Sequence, residues 1–200
     1  MNTNRMLTPA RRLIVVADGG QRIVPERLED TWDRMYRLMD DFANTGVFLQ
    51  VGPAHKVCGN DLLRKIHANG LTAVVCSSDI PALAALKETL PDIEALGLPP
   101  TDYVGQFAQN AAEAGLDGIV IGPEDALGLR LRFNRRLSFN MHAVPMWTSA
   151  GHPSDVVTLG AAYRAGADRF IVDLETFRAG SAIAEESLKL TLAEIAQATA

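Results

Sequence analysis

Two hundred residues, 48% hydrophobic and 22% charged, give an ordinary globular composition with enough chain for one large domain. A formal charge of −5, from 19 Lys+Arg against 24 Asp+Glu, argues against a broad nucleic-acid-binding surface. No apolar run is long enough to span a bilayer, no lysine-led leader opens the chain, and Cys58 and Cys76 form no disulfide framework, so the chain reads as a cytoplasmic protein with reduced thiols.

Residues 1–10 read as a flexible polar tail and 11–200 as one domain. The first strand, 13–17, delivers Asp18 to a loop opened by Gly19 and Gly20. A helix over 26–42 follows, with Leu28, Trp32, Met35, Leu38, Met39 and Phe42 at helical spacing as its core-facing stripe. The second strand, 47–51, has one polar residue, Gln50; a loop with His55 and Lys56 leads to a helix over 60–67. The third strand, 71–76, ends on Cys76, and Asp79 ahead of Pro81 has the pattern of a helix cap.

That helix runs to about residue 90, and the proline-punctuated stretch after it reads as a loop. The next helix, 102–114, therefore follows the last with no strand between them. A strand over 119–121, a turn and a short helix come next, and Arg130, Arg132, Arg135 and Arg136 read as the solvated end of that helix. The strand 137–141 opens a long loop holding His142, Trp147 and His152. A helix over 156–165, a strand over 170–172 and a closing helix over 182–196 finish the chain.

Four of these units share one form: a last helical turn, a glycine (Gly46, Gly70, Gly115, Gly166), then a short run rich in Val and Ile. Glycine suits the left-handed end of a helix, and such runs suit buried parallel strands. The class is α/β, with helices covering a parallel sheet. A closed eight-strand barrel usually needs about 250 residues. About six strands in a shorter chain read as a shortened or incomplete TIM-like barrel with two sheet edges to cover, for which the small residues Ala17, Ala73 and Gly122 suit a narrowed interior.

The segments 13–18, 48–70, 98–125 and 161–173, in that order, resemble the orotidine-5'-phosphate decarboxylase family, an eight-strand β/α barrel active as a dimer. The resemblance implies that Asp18 is the substrate-binding aspartate and that Gln50 stands at the strand-two lysine. The family's Asp-x-Lys-x-x-Asp run falls on Val74, Cys76 and Asp79, or is lost entirely if 73–78 is set against the fifth strand. Either register leaves about two strands and their helix missing. The phosphate grip falls near Pro153 and on Asp173–Leu174, where a carboxylate repels phosphate. Glutamine neither donates a proton at neutral pH nor stabilises a carbanion as an ammonium does, so the family's own decarboxylation is not expected.

Polar residues at the C-terminal strand ends of a barrel share one face. His142 titrates near neutrality and reads as the acid–base residue, with Asp18 and Asp79 as further catalytic candidates. Gln50, Cys76, Trp147, His152 and Asp173 read as ligand-binding. Blander readings stand beside these: His142 a satisfied strand-end histidine, Asp79 a helix cap, Cys76 packing, Trp147 a lid or a dimer contact. Asp18, Asp79, Asp173 and His142 are too scattered in sequence to define a metal site, and no cofactor is expected. The expected partners are a small unphosphorylated ligand and a second copy of the chain, with 91–103 and 142–153 in the interface; nucleic acid and membrane are not. The reading is a small-molecule enzyme with changed chemistry; the alternatives are a catalytically silent binding or structural relative and, third, retained decarboxylation.

Overall fold

The computed structural model describes residues 7–16, 36, 39–51, 54–133, 136–147, 157–177 and 181–200, with backbone alone at 54–59, 174–175 and 181–184. Asp18, Trp32 and His152, and most of the helix expected over 26–42, lie outside the described residues. Seven strands follow in order: β1 (Leu13–Val16), β2 (Phe48–Gln50), β3 (Thr72–Ser77), β4 (Glu94–Gly97), β5 (Gly118–Val120), β6 (Ser138–His142) and β7 (Arg169–Asp173). The described helices are α1 (Ala54–Ala68), α2 (Ile80–Thr89), α3 (Val104–Glu113), α4 (Pro123–Phe133), α5 (Leu159–Ala165) and α6 (Ser181–Ala198).

Every strand pairs in parallel with its neighbours, and β1 pairs with β7, so the sheet is a closed barrel. Closure satisfies the edge groups that an open sheet would leave bare. The architecture is therefore a shortened TIM-like α/β barrel of seven strands, one fewer than the usual eight.

The seventh strand is β4, and it corrects the expectation of two helices in direct succession. It is hard to read because Glu94 opens it, Gly97 ends it and prolines flank it. The tertiary structure explains both residues. Glu94 pairs across the barrel with Arg169 at 3.0 Å, and a Cβ at Gly97 would stand 2.5 Å from the Phe107 ring of α3. A second correction concerns the loop expected after β2: α1 already begins at Ala54.

Gly46, Gly70, Gly115 and Gly166 all adopt positive φ, as the repeated helix–glycine–strand form requires. Two of these units go further. In Gly115-Leu116-Asp117 and Gly166-Ala167-Asp168 the carboxylate lands at the entrance of the next strand. Asp117 accepts the Ala95 N–H at 2.8 Å and pairs with Lys87 of α2. Asp168 accepts the Phe139 N–H at 2.8 Å and pairs with Arg130 of α4 at 2.6 Å. Each aspartate ties its strand to the preceding strand and to an earlier helix. Arg130, with its guanidinium 3.8 Å from the Phe139 ring centre, is thus packed rather than part of a solvated helix end.

Alternation along the strands separates two cores. Leu13, Val15, Leu49, Val75, Phe139, Phe170 and Val172 face the helices, together with Met39 and Phe42. Ile14, Val16, Phe48, Val74, Leu96 and Ile171 fill the barrel, with Cys76 and Val120 packed against them. The narrowing is set at Gly118, where a Cβ would lie 2.0 Å from Ser138 Oγ and 2.4 Å from its carbonyl oxygen. Of the small residues expected to narrow it, Ala73 belongs to the outer core, Gly122 lies past the end of β5, and Ala17 is outside the described residues.

Candidate functional site at the C-terminal strand ends

Val16 of β1 is in register with Gln50 on one side and Asp173 on the other, which sets these two side chains on the same barrel face. On β6, His142 is in register with Ile171, two residues before Asp173. His142 and Asp173 are therefore diagonal neighbours on adjacent strands, both reachable by solvent. Although exposed, the His142 ring sits among enough protein that burial lowers its pKa from 6.5, while the negative charge of Asp173 raises it. The ring is neutral at physiological pH, and an acceptor charge waits for it when it takes a proton.

Gln50 supplies a third group. Its Oε1 is buried with no hydrogen-bond partner, an acceptor that a ligand donor or water would satisfy. Below it the barrel is polar too. Asn140, fully buried, donates to Ile119 O at 2.9 Å, and its Oδ1 has no partner.

The other sequence candidates divide. Asp79 accepts the Ala82 N–H at 3.0 Å and is the N-cap of α2, so its carboxylate is engaged in the fold. Burial pushes the Cys76 thiol up to about 12, which keeps it protonated and unreactive. Trp147, 40% exposed, stands on a turn tied to α6 by the Met146 N–H donating to the Glu194 carboxylate at 2.8 and 3.0 Å. Asp18 and His152 lie outside the described residues. Among the described residues no group of three or more His, Cys, Asp or Glu is placed to hold a metal ion. Nor is any described helix long and apolar enough to cross a membrane. The signal that sequence reading missed is the Gly-x-Asp pair, visible as a repeat but interpretable only once the strand order is known.

A closed parallel β/α barrel with polar groups gathered at its C-terminal strand ends has the form of a TIM-like barrel. Its fold is that of orotidine-5'-phosphate decarboxylase. The structure of that enzyme from Pyrococcus horikoshii OT3 matches with a TM-score of 0.61 at 14% identity, over 92% of this chain and 99% of the other. The Lactobacillus acidophilus orotidine 5'-phosphate decarboxylase matches at 0.59 and 15%, over 90% and 99%. KGPDC from Streptococcus mutans matches at 0.56 and 13%, over 92% and 97%. At such identities the likeness is one of fold. No protein-family model and no curated protein matches the sequence. At the positions where the sequence resemblance sets the family's lysines, this barrel carries Gln50 on β2 and Cys76 on β3.

Proposed function

We propose that the C-terminal mouth of the barrel is an acid–base site for a small unphosphorylated molecule, with His142 as the proton-transferring group. The observation that carries the reading is the convergence of His142 and Asp173 from β6 and β7. A neutral imidazole takes a proton from a ligand hydroxyl or activated C–H, and Asp173 stabilises the imidazolium that forms. Gln50 Oε1 accepts a hydrogen bond from the ligand and orients it.

The test is a panel of small hydroxy- and oxo-compounds followed by NMR for binding and turnover. Binding or turnover that is lost in His142→Ala and in Asp173→Ala supports the reading. If the double variant leaves every response unchanged, the reading fails and a catalytically silent binding protein takes its place. That second reading is favoured by the engagement of Asp79 as a helix cap and by the protonated Cys76 thiol. Carbon dioxide release from orotidine-5'-phosphate should equal the buffer rate, because an ammonium is missing where the resemblance requires one.

A homodimer with 91–103 and 142–153 in its interface belongs to the same proposal. Tyr103 (69% exposed), Met146 (65%), Leu98 (39%) and Trp147 (40%) are large apolar side chains on those segments and support it. Light scattering at micromolar concentration should give twice the 21.6 kDa chain mass, and a clean monomer mass ends the dimer claim. A cytoplasmic location is proposed with it, on the cysteine content alone.

A further inference from the structure

A cavity of about 280 Å³ lies on the outer wall of the barrel, between the C-terminal turns of α1 and α2 and the entrance to β4. It is separate from the residues of the mouth. Its floor is made of the buried Leu63, Ala73, Leu90 and Ile93. Ala73, an outward-facing position on β3, presents only a methyl group to this space. An apolar floor of buried residues under a polar rim is the usual form of a small-molecule site, and this volume suits a small ligand.

The rim carries charges of both signs. Arg64 and His67, one turn apart on α1, supply donors on one side, and Asp92, with Thr89, stands on the α2 side. Among the described residues Arg64 pairs with exposed Asp61, at 3.1 Å, and its side chain is 63% exposed, so it is available to a ligand at little cost. A simple carboxylic acid would satisfy Arg64 and His67 but face Asp92; a simple amine would meet the reverse. A zwitterion with an apolar body matches both sides of the rim and the floor together. We infer that this cavity binds an α-amino acid with an apolar side chain, its carboxylate toward Arg64 and His67 and its ammonium toward Asp92.

The experiment uses the full chain, labelled for NMR, and four probes: L-phenylalanine, its methyl ester, 3-phenylpropanoate and phenethylamine. L-Phenylalanine should shift the resonances of Leu63, Ala73 and Ile93 in a saturable way, and each of the other three should bind roughly tenfold or more weakly for want of one charge-assisted contact. Arg64→Gln, an exposed change that leaves the fold untouched, should weaken L-phenylalanine by a similar factor. Ala73→Leu should abolish the shifts by filling the floor, with its folding checked by circular dichroism. Equal binding of all four probes, unchanged affinity in Arg64→Gln, or no saturable shift up to millimolar concentration would each overturn the assignment.

Discussion

Arg130 of α4 pairs with Asp168 at 2.6 Å, and the same carboxylate oxygen accepts the Phe139 N–H at the entrance of β6. The two side chains are only 24% and 32% exposed. Removing the carboxylate leaves the Phe139 N–H without its acceptor in a partly buried place and takes the ion-pair partner from Arg130, which keeps its bond to the Gly166 carbonyl at 2.9 Å. Asp168→Ala should therefore cost about 2–3 kcal/mol, read from urea unfolding. Asp61→Ala breaks a bridge whose partners are 63% and 80% exposed, and should change stability by no more than about 0.5 kcal/mol. Equal losses in the two variants would mean that Asp168 does not tie the strands as described.

Gly118 is the tightest point of the barrel wall. An added methyl group would meet the Ser138 carbonyl oxygen at 2.4 Å, and that atom belongs to the backbone. Gly118→Ala should destabilise by at least about 3 kcal/mol, and adding Ser138→Ala should not rescue it. Gly115→Ala meets no neighbour within 4 Å but holds φ at +73°, so it should cost only about 1–2 kcal/mol. Thermal unfolding of the three variants gives the order; rescue by Ser138→Ala would show that the hydroxyl alone sets the limit.

Cys76 is a chemical test of burial. With its pKa pushed up to about 12, only about one thiol in 10⁴ is ionised at pH 8 in the folded state. In a Cys58→Ser background, iodoacetamide should leave Cys76 unmodified in the native protein and label it readily in urea. The same shift has a stability consequence with a definite sign. The unfolded thiol loses its proton near its ordinary pKa while the folded one keeps it, so stability falls as pH rises from about 9 to 12. Cys76→Ala should flatten that part of the profile. Rapid native labelling would contradict the raised pKa of this half-buried thiol.

Local patterns made much of this fold legible. Short apolar runs marked six strands, and the four glycines of positive φ marked where helices end. β4 escaped because its determinants are not local. Glu94 belongs in a strand only because Arg169, 75 residues away, answers it inside the barrel, and Gly97 only because Phe107 lies on it. The site was partly legible for a related reason. His142 and Asp173 stood out as polar residues ending apolar runs, but their pairing depends on β6 and β7 being neighbours in the ring. Asp79 shows the converse, since its cap geometry was written in the Asp-Ile-Pro sequence itself.

The most direct test of the mouth as an acid–base site is the NMR titration of the His142 ring in the wild-type protein and in Asp173→Asn. Burial lowers the folded pKa and Asp173 raises it, so the wild-type midpoint should fall below 6.5 and the variant's lower still. By linkage, the stability that rests on neutral His142 is present above 6.5 and is lost as pH falls through the folded midpoint. A wild-type midpoint at or above 6.5 would contradict the desolvated placement of the ring, and one that Asp173→Asn leaves in place would show that the two side chains do not act on each other; either result would remove the basis for the proposed chemistry.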